Sequence, residues 1–342
     1  MSGRRLKYWQ AINEALAEEM ARDPAVLMLG QDIAAPGGTF GETRGLHERF
    51  GDAQIRDAPI SEQAIVGAAV GAAIAGARTV VEILFLDFLG IASDQVVNQA
   101  AKVFYFSGGT VPVPLVIKAG VGTELGMGAQ HSQSLEGWYA QIPGVKVCWP
   151  STPGDAKALL KAAIRDDNPV LYLESLSLLH LRGPVGGEDD VAELGTAEVV
   201  RTGTDLTIVT WGTMRHKVEA AAGLLADAGV GAEVIDLRTI VPWDRETVFA
   251  SVRRTNRCAV VTEAQREFGP GAEVASEVAE VCFDWLDAPV IRIGSPRVNA
   301  PQIGEHDRWR VPQAEAIARQ AAALAGVAAP AGVAAPASQP SA

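Results

Sequence analysis

The sequence predicts an α/β chain built as two successive domains, each a parallel sheet covered by helices. Short apolar, strand-like runs alternate with helical stretches along most of its length. The composition agrees: 48% of the 342 residues are hydrophobic but only 6% aromatic, and Ala, Val, Leu and Ile dominate, as in sheets buried on both faces under small-residue helices. The rhythm stops once, at RGPVGGEDDVAELG (182–195), and then restarts.

The chain opens with an amphipathic helix within MSGRRLKYWQAINEALAEEM, which has basic residues but no apolar leader core, so a cytoplasmic protein is expected. In RDAPISEQ (56–63), Pro59 fixes an extended approach and Ser61 is placed to cap a helix running through IVGAAVGAAIAGA to about residue 76. Strands are expected at RTVVEILF (78–85), VPLVIKA (113–119), VKVCW (145–149) and PVLYLE (169–174), with helices at 89–106 and 153–165. Beyond the break come DLTIVTWG (205–212), a helix at 214–228, AEVIDLRTI (232–240), and a helix from Trp243 to about Arg254. CAVVTEA (258–264), a helix at 272–285 and PVIRIG (289–294) complete the second unit. The expected domains are 1–187 and 188–325. The Pro/Ala tail 326–342, which repeats GVAAPA, cannot build a core and is expected to be disordered.

A net charge of −12 without a long Lys/Arg stripe argues against nucleic acid and anionic membranes as partners, and no apolar run reaches spanning length. A small molecule or a protein is the expected partner. Cys148, Cys258 and Cys282 are far apart and lie in apolar contexts, so they read as reduced core residues.

Two residues stand apart. Glu62 falls in the first turn of a helix, where the dipole favours a carboxylate that can face a ligand; an ordinary first-turn acid is the plainer account. His131, in the Gly-rich GAQHSQSLEGW (128–138), is one of only five histidines; a satisfied loop histidine is its plainer account. Phe85 and Phe88, flanking Asp87 in EILFLDF, read most simply as core at a strand end. GVGTELGMG (120–128) lacks the helix that must follow the glycines of a dinucleotide-binding loop.

Four motifs taken together, APISE, EILFLDFLGIASDQVVNQAAK (82–102), GAQHSQS and PSTPGDAKALLKAAIRDDNPVLYLE (150–174), make the chain resemble the beta subunit of the thiamine-diphosphate-dependent decarboxylase component of 2-oxo acid dehydrogenase complexes. The resemblance runs over about residues 5–325. It implies a transketolase-like pyrimidine-binding domain followed by a smaller α/β domain of the transketolase C-terminal type.

It also implies roles. Glu62 matches the glutamate that hydrogen-bonds the aminopyrimidine ring nitrogen and makes the reactive imino tautomer accessible. Phe88 matches an aromatic stacked on the pyrimidine, and Phe85 is left as core. His131 matches an active-site histidine that can meet the substrate carboxylate or alkoxide, or protonate a dithiolane sulfur. Leu115, Ala163, Ile164, Asp166 and Asn168 match the ligands of a structural potassium ion held mainly by carbonyls; a solvated polar turn is the plainer reading. The magnesium and diphosphate half-site, a GDG with an Asn some thirty residues on, is missing, and GDA at 51–53 does not replace it. An alpha subunit in an α2β2 heterotetramer is therefore implied to hold that end. A lipoyl-bearing acyltransferase core is the implied further partner, with the 195–325 region serving association.

Gln31 stands where most members have an acid, and ESLSLLHLRG and RVNAPQIGEHDRWRV (297–311) also depart from the family pattern. These departures leave the 2-oxo acid open between pyruvate and branched-chain substrates. Acetoin cleavage is a close second reading. A non-catalytic assembly subunit is the reading from another class, against which the joint retention of Glu62, Phe88 and His131 argues.

Overall fold

The computed structural model describes residues 3–330. Seven strands form the first sheet in the order Thr239–Val241, Lys146–Cys148, Val170–Ser175, Leu115–Val121, Arg78–Ile83, Val26–Gly30 and Ile55–Asp57. All neighbours pair in parallel except the first, an antiparallel edge strand contributed from beyond the sequence break. Helices Tyr8–Arg22 and Pro153–Arg165 cover one face through Tyr8, Ile12, Leu16, Leu159 and Leu160. Helix Glu62–Ile74 and the segment 86–106 cover the other. Helix Pro153–Arg165 starts where the sequence dictates: Pro153 needs no hydrogen-bonded N–H at the first position, and Thr152 Oγ1 accepts from Asp155 N at 3.1 Å.

The second sheet has the order Ile291–Ser295, Cys258–Gln265, Leu206–Thr210, Ala232–Asp236 and Glu198–Arg201, parallel except for the last strand. Helices Met214–Asp227 and Ala314–Leu324 bury one face. Helices Arg245–Thr255 and Pro270–Val281 bury the other, where their apolar residues are continuous with Trp149, Val147 and Leu171 of the first sheet. One apolar cluster thus spans both sheets. Polar bonds join them as well: Trp149 N donates to Arg238 O at 2.8 Å, and Thr213 Oγ1 donates to Ser175 Oγ at 2.7 Å.

Several expected elements change in detail. The strand from Arg78 ends at Ile83, so Phe85 immediately precedes the 3-10 turn Leu86–Ala92 and Phe88 lies within it, rather than either being on the strand. The single helix expected at 89–106 is this turn, then a π-helical stretch Gln95–Ala100, then helix Ala101–Phe106. Ser61 is the residue before helix Glu62–Ile74, but its hydroxyl donates back to Pro59 O at 3.1 Å and caps nothing. The three cysteines are free and buried, and burial pushes the Cys258 thiol up to about 12. Among the described residues no helix is long and apolar enough to cross a membrane. The tail expected to be disordered lies, from residue 331 on, outside the described residues.

A charged cluster lies inside the first sheet. Parallel register sets Gly30 beside Glu82 and Glu82 beside Lys118. Gly30 has to be small there, because a Cβ on it would stand 3.0 Å from the Glu82 Cβ. Lys118 Nζ reaches Glu174 Oε1 at 2.7 Å and Glu82 Oε2 at 3.3 Å, all fully buried. Buried Glu42 adds a third carboxylate, with neither oxygen hydrogen-bonded. Burial works against the lysine's charge, but Glu174, Glu42 and Glu82 outweigh it and hold its pKa above the ordinary value. Desolvation and the Glu174 charge push Glu42 well above the usual carboxylate range, and burial raises Glu174 as well.

Removing the only cation should therefore be costly. Lys118→Met is expected to lower stability by about 3–5 kcal/mol in urea titrations, because it strands buried carboxylates. Adding Glu174→Leu to it should recover part of the loss; no loss in the single variant would show that the ammonium is not what neutralises the cluster.

Candidate active site

His131 sits in the loop that follows strand Leu115–Val121, and its course is set by backbone contact. Gly122 lies so close to the returning chain that a Cβ would stand 2.1 Å from the His131 carbonyl oxygen, a separation no side chain tolerates. The imidazole packs edge-on between two aromatics, 4.8 Å from the Phe85 ring centroid and 5.2 Å from that of Phe88. Phe85 is buried and also meets Phe40, so it backs the cluster as core, whereas Phe88 is half-buried. The structure thus brings Phe88 and His131 together.

Glu62 stands apart from that pair but close in the fold. Helix Glu62–Ile74 packs on the turn Leu86–Ala92, and Phe88 joins the apolar cluster that contains Ile65 and Val66. The half-buried Glu62 carboxylate makes no hydrogen bond or ion pair among the described residues. Among the described residues, the Glu62 carboxylate and the His131 imidazole are both left without a side-chain hydrogen bond, and aromatic rings stand against the imidazole.

Asp87, noted in the sequence only as lying between two aromatics, helps fix the loop. Its Oδ1 accepts from Gln133 Nε2 at 2.8 Å and from Gln133 N at 3.3 Å, and its buried Oδ2 has no hydrogen bond. Burial raises its pKa, while the Gln133 bonds and the nearby His131 oppose the shift. Gln31 follows strand Val26–Gly30 directly and donates to Asp32 Oδ2 at 3.3 Å.

The second domain reaches the loop as well, which its assignment to association alone did not anticipate. Ser134 Oγ donates to Glu263 Oε1 at 2.7 Å, and Glu124 N donates to Asp307 Oδ2 at 2.6 Å. Behind the loop a cleft of about 360 Å³ is lined by Ser132, Ser134, Trp138, Glu263, Arg297 and Arg310, among others. Beside it Glu136 is fully buried with neither oxygen bonded, and desolvation and the Glu263 charge push its carboxyl up to about 8. The alternation of strands and helices carries no sign of these cross-domain acids. The acidic residue in SLEGW and the charged pair in EHDRWR are their only trace in the sequence.

Of the five residues matched to potassium, Ala163, Ile164, Asp166 and Asn168 lie at the end of helix Pro153–Arg165 and in the turn after it, and Leu115 opens strand Leu115–Val121. Arg78 Nη1 donates to the carbonyls of Ile164 and Asp166, at 3.1 Å each. The Asp166 carboxylate pairs with Lys146 and accepts from Asn168 N at 2.9 Å, and the Ala163 carbonyl accepts from Asp166 N at 3.3 Å. Arg78, paired with Asp167, and Lys146, paired with Asp166, bring positive charge to this turn. Among the described residues no group of three or more His, Cys, Asp or Glu could hold a metal ion.

Residues 4–180 match the family model for the transketolase pyrimidine-binding domain, and 195–317 match that for the transketolase C-terminal domain. The chain is 42% identical to the beta subunit of an acetoin:2,6-dichlorophenolindophenol oxidoreductase from Cupriavidus necator, over 93% of this chain and 97% of that protein. It is 41% identical to a 2-oxoisovalerate dehydrogenase beta subunit from Bacillus subtilis, covering 86% of this chain and 90% of the relative. It is 40% identical to a chloroplastic pyruvate dehydrogenase E1 beta subunit from Arabidopsis thaliana, covering 91% and 77%. A solved split-gene transketolase, an inactive beta4 tetramer, shares the fold with a TM-score of 0.77 at 23% identity, covering 94% of this chain and 99% of that one.

The raised acid generates a pH prediction. Glu136 binds a proton more tightly in the folded chain (about 8) than at its ordinary value of 4.5, so the folded state holds the extra proton between those values. Stability contributed by this group is full below 4.5 and is lost as pH rises through 8, by at most ~1.4 kcal/mol per pH unit. Urea unfolding at pH 5, 6, 7 and 8 should show the decline, and Glu136→Gln should flatten it.

Proposed function

The chain belongs to the beta subunits of the decarboxylase component of 2-oxo acid dehydrogenases, and from that premise we propose that, with an alpha subunit, it decarboxylates a 2-oxo acid and passes the acyl group to lipoamide. The cofactor that this family implies, thiamine diphosphate, supplies a nucleophilic carbon and an electron sink for decarboxylation. In the proposal the chain holds only the ring end, while the alpha subunit of an α2β2 assembly brings the magnesium and diphosphate site. Exposed apolar side chains flanking the site, Ile60 next to Ser61 and Glu62 and Leu125 and Met127 in the His131 loop, suit coverage by such a partner.

The observation that carries the reading is a pair of groups left without hydrogen bonds among the described residues: the Glu62 carboxylate at the start of a helix that packs on the turn carrying Phe88, and the His131 imidazole against Phe85 and Phe88. Glu62 would hold a proton at the pyrimidine ring nitrogen. Phe88 would orient the ring, with the buried Phe85 behind it to limit its motion. His131 would hydrogen-bond the substrate carboxylate or oxyanion, or deliver a proton to a dithiolane sulfur during transfer. Acetoin is a second substrate class, favoured by the Cupriavidus necator relative, and the chemistry asked of Glu62 is the same for it.

Purified with its alpha partner, the wild-type chain should turn over one of pyruvate, branched-chain 2-oxo acids or acetoin in a thiamine-dependent assay. Glu62→Gln should assemble normally and lose turnover by orders of magnitude; a rate within about tenfold of wild type, ~1.4 kcal/mol of barrier, would remove Glu62 from the chemistry.

His131→Ala should impair lipoyl-dependent transfer more than decarboxylation measured with an artificial electron acceptor. Near-wild-type rates in both assays would leave His131 as a structural loop residue.

A further inference from the structure

The segment 297–311 departs from the family pattern, and helix Gly304–Arg310 within it is unusual in another respect: its only buried side chains are charged, Asp307 and Arg310. A helix that builds a core buries an apolar stripe; this one buries an ion pair, which gains little net stability and is costly to leave unmatched. Asp307 Oδ1 accepts from Arg310 Nε at 3.0 Å and Nη2 at 2.8 Å. The remaining valences of the pair go to the loop of the other domain. Asp307 Oδ2 takes the Glu124 N–H at 2.6 Å, and Arg310 Nη2 donates to the Ser132 carbonyl at 3.3 Å.

Glu124 and Ser132 lie on opposite sides of His131 in the chain, so one ion pair holds both limbs of its loop. Glu124 is a non-glycine residue in the left-handed region, at φ 69°, a conformation that persists only when its surroundings enforce it. Its carboxylate is held as well, by Lys217 Nζ at 2.5 Å and Gln313 Nε2 at 3.0 Å. The backbones meet closely: a Cβ on Gly126 would stand 2.5 Å from Gly304 N.

We infer that Asp307 and Arg310 are positioning residues for His131, acting from the second domain through the two limbs of its loop. They touch neither substrate nor cofactor; they set where the imidazole stands against Phe85 and Phe88. The inference rests on the active-site role of His131 proposed above.

The test uses the full chain assembled with its alpha partner. Arg310→Met and the milder Arg310→Lys and Asp307→Asn are compared by hydrogen exchange over residues 122–134 and by lipoyl-dependent transfer, each also in a His131→Ala background. Arg310→Met should speed exchange of the loop amides by about tenfold and lower kcat by a similar factor, with KM changed less than about twofold, and should cost nothing further once His131 is alanine. The milder variants should fall between, so failure of Arg310→Met to assemble leaves the question answerable. Unchanged exchange, or an equal loss in both backgrounds, would overturn the inference, since a merely structural pair costs the same with or without the imidazole. Near-wild-type transfer by His131→Ala alone would sink the role given to His131, and exchange would then decide separately whether the pair holds the loop.

Discussion

The approach of Gly122 to the His131 carbonyl is the constraint on which the site depends. Strand Leu115–Val121 delivers the chain to the edge of a fully packed sheet, and the loop that leaves it returns so closely that residue 122 has no room for a side chain. Once that contact exists, the imidazole has one available course, between Phe85 and Phe88, and these are held by the turn that ends strand Arg78–Ile83. A close backbone approach is a stronger determinant than any single hydrogen bond here, because it removes alternatives by overlap rather than by a preference of about a kilocalorie.

The two sheets are joined in a way that makes the loop a shared element. Strand Thr239–Val241 leaves the second domain to pair with Lys146–Cys148 at the edge of the first sheet, and a single apolar cluster continues across the junction. The loop from residue 122 to 134 is then bonded on the first-domain side through Asp87 and Gln133 and on the second-domain side through Glu263, Asp307 and Arg310. The Glu263 and Asp307 carboxylates in these bonds are buried, where an unmatched partner is expensive.

Much of the fold was legible because parallel strands buried on both faces must be nearly all apolar, and VVEI, LVIKAGV and VLYLES read that way without neighbours to consult. Phe88 and His131 were singled out through motifs far apart in the sequence, and the fold sets their rings in contact. Glu62 was legible as a first-turn acid, although the capping expected of Ser61 failed, since a hydroxyl so near Pro59 found the carbonyl behind it more accessible than the helix N–H ahead. The strand end was misplaced by two residues because ILFLDF is uniformly apolar on either side of Asp87, leaving no periodicity to separate strand from turn.

What the sequence hid was pairing across long separations. Lys118 in a strand reads as a defect until Glu82 and Glu174 are found beside it, and Asp307 and Arg310 read as a solvated helix face until Glu124 and Ser132 arrive from the other domain. The turn at Asp166 also hides a distant partner: Arg78, 86 residues away from Ile164, donates to the carbonyls of Ile164 and Asp166. Several buried acids, Glu42 and Glu136 among them, lack a hydrogen-bond donor within the chain, whereas Glu62 and His131 are left without one where solvent reaches them, and there an outside molecule has something to gain.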